Sequence, residues 1–243
     1  ISIFLVTAIF SVADMMIRTQ SDRMTGKNGS WHIELDGISQ ETALKIAERD
    51  DVVSIGAVTI FNPDGELPYR MDGKRVVLYG IDESYLTMNS TGAAEGRFPQ
   101  GMGEIMLSSN AARVLQVAVG DTVTLRTPSG DWDFTVSGLG GVEESYYSGQ
   151  YSLMDAYLPR TAFAALMEQN NVHNLQTSYY VQFTSASKAA KAIPELTAQH
   201  NLPENAVSEN TGVMAIAGQS DSSAAKNVYS LAAVLFVLVL LAG

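Results

Sequence analysis

Three histidines, His32, His173 and His200, are the only imidazoles in the chain, and they stand far apart in sequence. No pair has the His-Glu-x-x-His spacing that places two ligands on one helix face for zinc. With no cysteine, disulfides, Cys-zinc sites and thiol redox chemistry are excluded. There is no Walker A loop to cradle ATP phosphates. Gly101-Met102-Gly103 and Gly138-Leu139-Gly140-Gly141 lack the rest of a dinucleotide fingerprint and read as turn glycines. No Gly-x-Ser-x-Gly elbow marks a nucleophile among the serines. Asp131 and Asp133 flank Trp132, but no further carboxylates follow at calcium-loop spacing. The expectation is a chain with no catalytic residue, cofactor or metal of its own. One segment has chemistry suited to contact: Glu143-Glu144-Ser145-Tyr146-Tyr147-Ser148-Gly149-Gln150-Tyr151. Tyrosine offers a flat apolar body with a polar tip, and the carboxylates attract cations. Glu143, Glu144, Tyr146, Tyr147 and Tyr151 are therefore the candidate partner contacts. The plain alternative is a solvated connector, and replacing Tyr146 and Tyr147 with Ala separates the two.

Charge narrows the class further. Against 15 Lys and Arg stand 26 Asp and Glu, a net −11. A nucleic-acid binder needs a basic stripe, and an anionic lipid surface would repel this chain's middle. Its two ends are different. Ile1–Ala13 and Val228–Gly243 carry no charge and no proline, and apolar side chains on every turn suit lipid. Each falls short of the roughly 20 residues that span a bilayer, so both read as membrane helices cut by the ends of the sequence. A cleaved signal peptide fits the first less well, because no basic region precedes it and Asp14-Met15-Met16 is a poor cleavage context. Everything between the two runs is then one excursion on one side of a membrane.

The elements that must hold this excursion alternate. Asp14–Arg23 continues the first helix out of the bilayer, and the two glycines within Thr25–Ser30 end it. Trp31–Leu35 alternates as a strand. Ser39 caps a helix with Ala43, Leu44, Ile46 and Ala47 on its apolar face. Val52–Phe61 is β-branched and strand-like. After the turn Asn62-Pro63-Asp64-Gly65, strands become short and turns dense. Arg75–Tyr79 reads as a strand, Asp82–Met88 as a short helix, and Ser90–Gly103 as polar loop. A strand Glu104–Leu107, a helix Asn110–Gln116 capped by Ser108, and a hairpin Thr122–Gly138 follow. Beyond the tyrosine-rich segment come a strand Asp155–Leu158, a helix Arg160–Gln169 and a strand Ser178–Phe183. Ser185 caps Ala186–His200, which Pro194 should break or kink. Ala206–Ser208 reads as a last strand, and Glu209–Ser223 as a small, polar connector. An α/β pattern interrupted by a β-rich block describes one domain inserted into another.

One stretch resembles the MacB/FtsX type of ABC-transporter permease. It runs Glu95-Gly96-Arg97-Phe98, then Gly103-Glu104-Ile105-Met106-Leu107-Ser108-Ser109-Asn110-Ala111-Ala112, then Val119-Gly120-Asp121-Thr122-Val123-Thr124-Leu125, closing with Phe134-Thr135-Val136-Ser137-Gly138. Where that family commonly has Leu-Gly-Leu before the Gly-Asp turn, this chain has Leu115-Gln116-Val117. Gly96, Gly120 and Gly138 sit where a turn needs positive φ or close approach, and Val119, Val123 and Leu125 fit the inner face of a hairpin.

The resemblance implies an α+β fold: a porter-like α/β domain with an inserted, small β-rich subdomain, flanked by two truncated transmembrane helices. The expected division is 1–24 for the first membrane helix and stalk, 31–61 plus 152–208 for the porter-like part and 62–150 for the insertion. A connector, 209–227, and the start of the second membrane helix, 228–243, complete it. The resemblance further implies an extracytoplasmic domain of a multi-pass protein of the cell membrane, working as a homodimer or with a paralogous permease. Its expected partners are a cytoplasmic ABC ATPase and an extracytoplasmic peptide, lipoprotein or cell-wall protein. A membrane-anchored extracellular binding protein and a tethered hydrolase are the rival readings.

Overall fold

In the strand Thr122–Thr127, Val123, Leu125 and Thr127 are buried while Thr122, Thr124 and Arg126 face water. That alternation has one meaning: a sheet with a core on one side and solvent on the other. The computed structural model describes residues 28–89, 93–140, 153–203 and 205–220, with Met15, Thr19, Arg23, Thr25 and Gly26, and side chains as far as Ala215. Its elements in chain order are β1 (Ile33–Leu35), α1 (Gln40–Ala47), β2 (Val52–Phe61), β3 (Arg70–Met71), β4 (Lys74–Ile81), α2 (Glu83–Met88), β5 (Ala93–Gly96), β6 (Glu104–Leu107), α3 (Ser109–Leu115), β7 (Thr122–Thr127), β8 (Gly130–Gly140), β9 (Leu153–Pro159), α4 (Arg160–Gln169), β10 (Thr177–Phe183), α5 (Ala186–His200), β11 (Val207–Glu209) and α6 (Thr211–Ser220).

Six strands form a closed ring. β4 pairs with β9, β9 with β6, β6 with β8, β8 with β7, β7 with β3, and β3 returns to β4. Each of the six strands thus has two neighbours in the ring, although the two-residue β3 closes it over only Arg70 and Met71. The interior is filled by Val76, Leu78, Ile105, Leu107, Leu125, Phe134, Val136, Ala156 and Leu158, with Phe163, Leu166 and Met167 of α4 packed on the same cluster.

Of the other five strands, β5 pairs with β8 at the barrel, and four lie in the order β11-β1-β10-β2. β10 runs antiparallel to both β1 and β2, and β11 antiparallel to β1. With α1 between β1 and β2, and α5 between β10 and β11, this is a split βαβ sheet. One face buries Ile33, Leu35, Ala57, Tyr179, Val181 and Phe183 against Ala43 and Ile46 of α1 and Ala189, Ala192 and Leu196 of α5. Both helices start on a serine. Ser39 accepts from the Thr42 N–H at 3.0 Å and Ser185 from the Lys188 N–H at 3.2 Å.

β2 belongs to both halves. It pairs with β10 from Val52 to Thr59, and with β4 from Val58 to Phe61. Over the join sits α2, and Val58, Ile81, Tyr85, Leu86, Met106 and Tyr157 form a third cluster drawn from both sides.

The elements match the sequence-based expectations with specific differences. β3 and β5 are additional strands, β5 within the stretch expected as loop. α5 runs unbroken through Pro194. Its freed acceptor belongs to Ala190, which is exposed like Pro194 itself, so water can replace the lost donor while Ala189, Ala192 and Leu196 hold the inner face. The expected connector after Glu209 is helical over Thr211–Ser220. Val123 and Leu125 point inward as expected, but Val119 is exposed. It precedes β7, where the turn at Gly120 (φ 96°) has not yet entered the pleat. β9 and α4, within the segment 152–208, contribute their apolar side chains to the barrel cluster rather than to the split sheet. Parallel pairing of β9 with β4 over Arg75–Ile81 places them there.

Candidate functional site

The tyrosine-rich candidates Glu143, Glu144, Tyr146, Tyr147 and Tyr151 lie outside the described residues. Their anchors do not. Gly140 ends β8 and Leu153 starts β9, and Leu107 of β6 pairs with both neighbouring strands at Leu139 and Ala156. The segment thus leaves and re-enters at one end of the barrel, where the β3–β4 turn also lies. The apolar runs Ile1–Ala13 and Val228–Gly243 are likewise outside the described residues. Among the described residues, no helix is long and apolar enough to cross a membrane.

The histidines do not converge. His32 is buried, and its Nδ1 accepts the Phe183 N–H at 3.0 Å. Burial alone holds its pKa below the ordinary imidazole value. His173 lines a cleft near α4, and His200 ends α5. Among the described residues, no three His, Asp or Glu side chains come together in a way that holds a metal.

The motif residues build the barrel's corner. Gly96 and Gly120 have positive φ, 72° and 96°. Gly138 has no room for a Cβ because the Arg97 carbonyl lies against it. Arg97 forks onto Glu104, one guanidinium arm donating to Oε2 at 2.8 Å, and the Gln100 N–H donates to the same oxygen at 2.8 Å. These donors, the Arg97 fork foremost, hold the Glu104 carboxyl down at about 2. The pair closes the turn between β5 and β6, so it is a fold-forming device.

Two places remain that join separate parts of the chain. The first is a cleft of about 680 Å³ at the junction of barrel and split sheet. Phe163, Met167 and Leu175 line it alongside Asp82, Arg160 and Thr177. Asp82 accepts the Ala57 N–H at 3.1 Å and lies 3.8 Å from Arg160, whose guanidinium sits 5.9 Å from the Tyr179 ring centre. Burial raises the Asp82 pKa, and the Arg160 charge opposes that rise.

The second is the base of the split sheet, where the first and last described segments meet. Met15, Thr19, Arg23, Thr25, Gly26 and Asn28 are helical, and Gly29, at φ 80°, ends that helix with its N–H on the Thr25 carbonyl at 2.9 Å. The chain then passes Ser30, whose N–H reaches the Met88 carbonyl at the end of α2, and enters β1. Coming the other way, β11 pairs with β1, Ile33 opposite Glu209. The Asn210 N–H donates to the His32 carbonyl at 2.9 Å, and α6 begins. The face of β1 turned away from α1 and α5 carries Glu34, which accepts from the Tyr180 hydroxyl at 2.7 Å. Burial raises the Glu34 pKa, and Asp36 adds to the rise. Trp31 and Tyr85 stand edge-on to the Tyr180 ring, with centres 4.9 and 5.0 Å away. A continuous contact path therefore links the helical residues before Gly29 and the start of α6 to α2, which lies over the join. In sequence, Asn210 sits among small polar residues and reads as part of the connector; the Asn-Thr-Gly start of a helix is the available signal.

Comparison with known proteins agrees with this architecture. No curated protein matches the chain. The periplasmic region of MacB from Actinobacillus actinomycetemcomitans superposes with a TM-score of 0.54 at 16% identity, covering 78% of this chain and 92% of that one. A domain assigned to a permease protein from Porphyromonas gingivalis aligns at 16% identity with a TM-score of 0.47, covering 75% of this chain and 89% of that one. Residues 1–199 match the family described as MacB-like periplasmic core domain. With that match spanning most of its length, the barrel and strands β1, β2 and β10 of the split sheet included, this chain belongs to the MacB-like periplasmic core domain family.

Proposed function

We propose that this chain is the extracytoplasmic domain of an ABC permease subunit that couples cytoplasmic ATP hydrolysis to export of, or mechanical action on, a substrate or partner outside the membrane. The domain performs no chemistry itself, and ATP hydrolysis belongs to a separate subunit or fused domain. The observation that carries this reading is the meeting of the two stalk segments at one base, sealed by the Asn210 N–H on the His32 carbonyl. Segments that leave a domain side by side suit adjacent membrane helices, and a shift in either reaches the sheet through backbone hydrogen bonds. Family membership supplies the rest of the support. The permease acts as a homodimer or beside a paralogous permease, and its outer partner is a peptide, lipoprotein or cell-wall protein.

The test is recovery of the full-length protein from its native membranes in mild detergent. An ABC ATPase co-purifies in stoichiometric amount, and ATP changes the distance between labels on the barrel and on the stalk. Recovery of the protein with no ATPase would sink the proposal. A second reading, a membrane-anchored binding protein, draws on the cleft lined by Phe163, Met167 and Arg160. It expects that same solitary recovery.

A further inference from the structure

We propose that the Asn210 carboxamide is a clamp that locks the two stalk segments into one body. Asn210 is 5% exposed, one of few buried polar residues among those described. It does two separable things. Its Oδ1 accepts the Val213 N–H at 3.3 Å while its own carbonyl accepts the Met214 N–H at 2.8 Å, which caps the first turn of α6. Its Nδ2 points the other way, donating to the Asn28 carbonyl at 3.0 Å and the Trp31 carbonyl at 2.9 Å. Those two acceptors bracket Gly29 and Ser30, where the first stalk helix stops and the path into the sheet begins.

An asparagine is required by this arrangement. Serine, threonine and aspartate cap helices equally well, but none carries an NH2 with two hydrogens to span two carbonyls. The approach is close enough that a Cβ on Gly212 would collide with the Asn28 side chain. A side chain at Gly212 would have to displace the Asn28 carboxamide where the second stalk helix starts. Trp31, held by its carbonyl, rests its ring on Tyr180. The clamp thus fixes both stalks to each other and to the aromatic contacts beneath α2.

This inference rests on the proposed role of the domain in transmitting motion, and the experiment separates the two. Spin labels are placed at exposed Arg23 and Thr211 in the full-length permease with its ATPase, and a second pair joins Arg23 to exposed Asp72 at the barrel end. Wild type gives a single narrow Arg23–Thr211 distance. Asn210→Ser keeps a hydroxyl cap and loses the double donor, so the narrow distance is lost, as it is in Asn210→Ala. An ATP-driven change in the Arg23–Asp72 distance in wild type is lost in Asn210→Ser. A narrow distance in Asn210→Ser with a broad one in Asn210→Ala shows that only the helix cap matters and overturns the clamp. Narrow distances in both variants overturn it as well. If wild type shows no ATP-driven change, the transmission reading fails, while the width of the Arg23–Thr211 distance still decides the clamp.

Discussion

At the scale of single residues, acid should expose two groups in turn. His32 is held neutral by burial, with its Nδ1 accepting a backbone N–H. A base whose folded pKa is depressed favours the folded state while it stays neutral, so this contribution falls away as pH drops below the ordinary value of 6.5. Glu104 follows. Its carboxyl lies near 2 in the fold against an ordinary 4.5, so the stability it lends is complete above 4.5 and lost as pH falls from 4.5 toward 2. Glu104→Gln should flatten the second limb of a stability-versus-pH curve and leave the first. Thermal melts between pH 2 and pH 7 read both, and an unchanged lower limb would show that the Arg97 fork contributes little. The corner motif that contains this pair was legible in sequence because its glycines and charges are local. The Asn210 clamp was not legible, because its acceptors lie about 180 residues away.

At the scale of elements, close approach decides more than propensity. α2 lies on β2 at Gly56, where an added Cβ would stand 2.6 Å from the Tyr85 Cα. Backbone cannot yield as a flexible side chain can, so Gly56→Ala should cost about 1–3 kcal/mol by overpacking. Chemical denaturation measures it, and a loss below half a kcal/mol would mean that α2 floats on the sheet. The same scale explains what sequence pattern reached. Long, regular pieces such as Val52–Phe61 and Ala186–His200 announce themselves by period and capping. β3 is two residues long, too short to show alternation, and exists because it bridges β4 and β7. β5 is Ala-Ala-Glu-Gly, poor strand formers that pair because β8 continues past Thr122, where β7 starts. The drawing of α4 into the barrel depends on β9 lying parallel to β4, a pairing across some 78 residues that no local pattern encodes.

For the whole molecule, the question is how two cores behave as one body. The cluster of Val58, Ile81, Tyr85, Leu86, Met106 and Tyr157 takes members from the split sheet, the barrel and α2. Removing Tyr157, which is 1% exposed, should destabilise both halves together by about 3–5 kcal/mol. Leu125→Ala, deep in the barrel, should speed amide exchange in β7 and β8 before it affects β10. Residue-resolved hydrogen exchange on the two variants distinguishes the patterns, and identical profiles would show that the cores do not open separately. The long strand β2 gives this arrangement a mechanical character. Ten extended residues measure about 33 Å, and the backbone passes from one partner sheet to the next without interruption. A push along its axis is carried by unbroken backbone from one sheet into the other. A sideways load meets the short overlap at Val58–Phe61. The barrel should therefore swing like a gate on its post, stiff in thrust and compliant in bending.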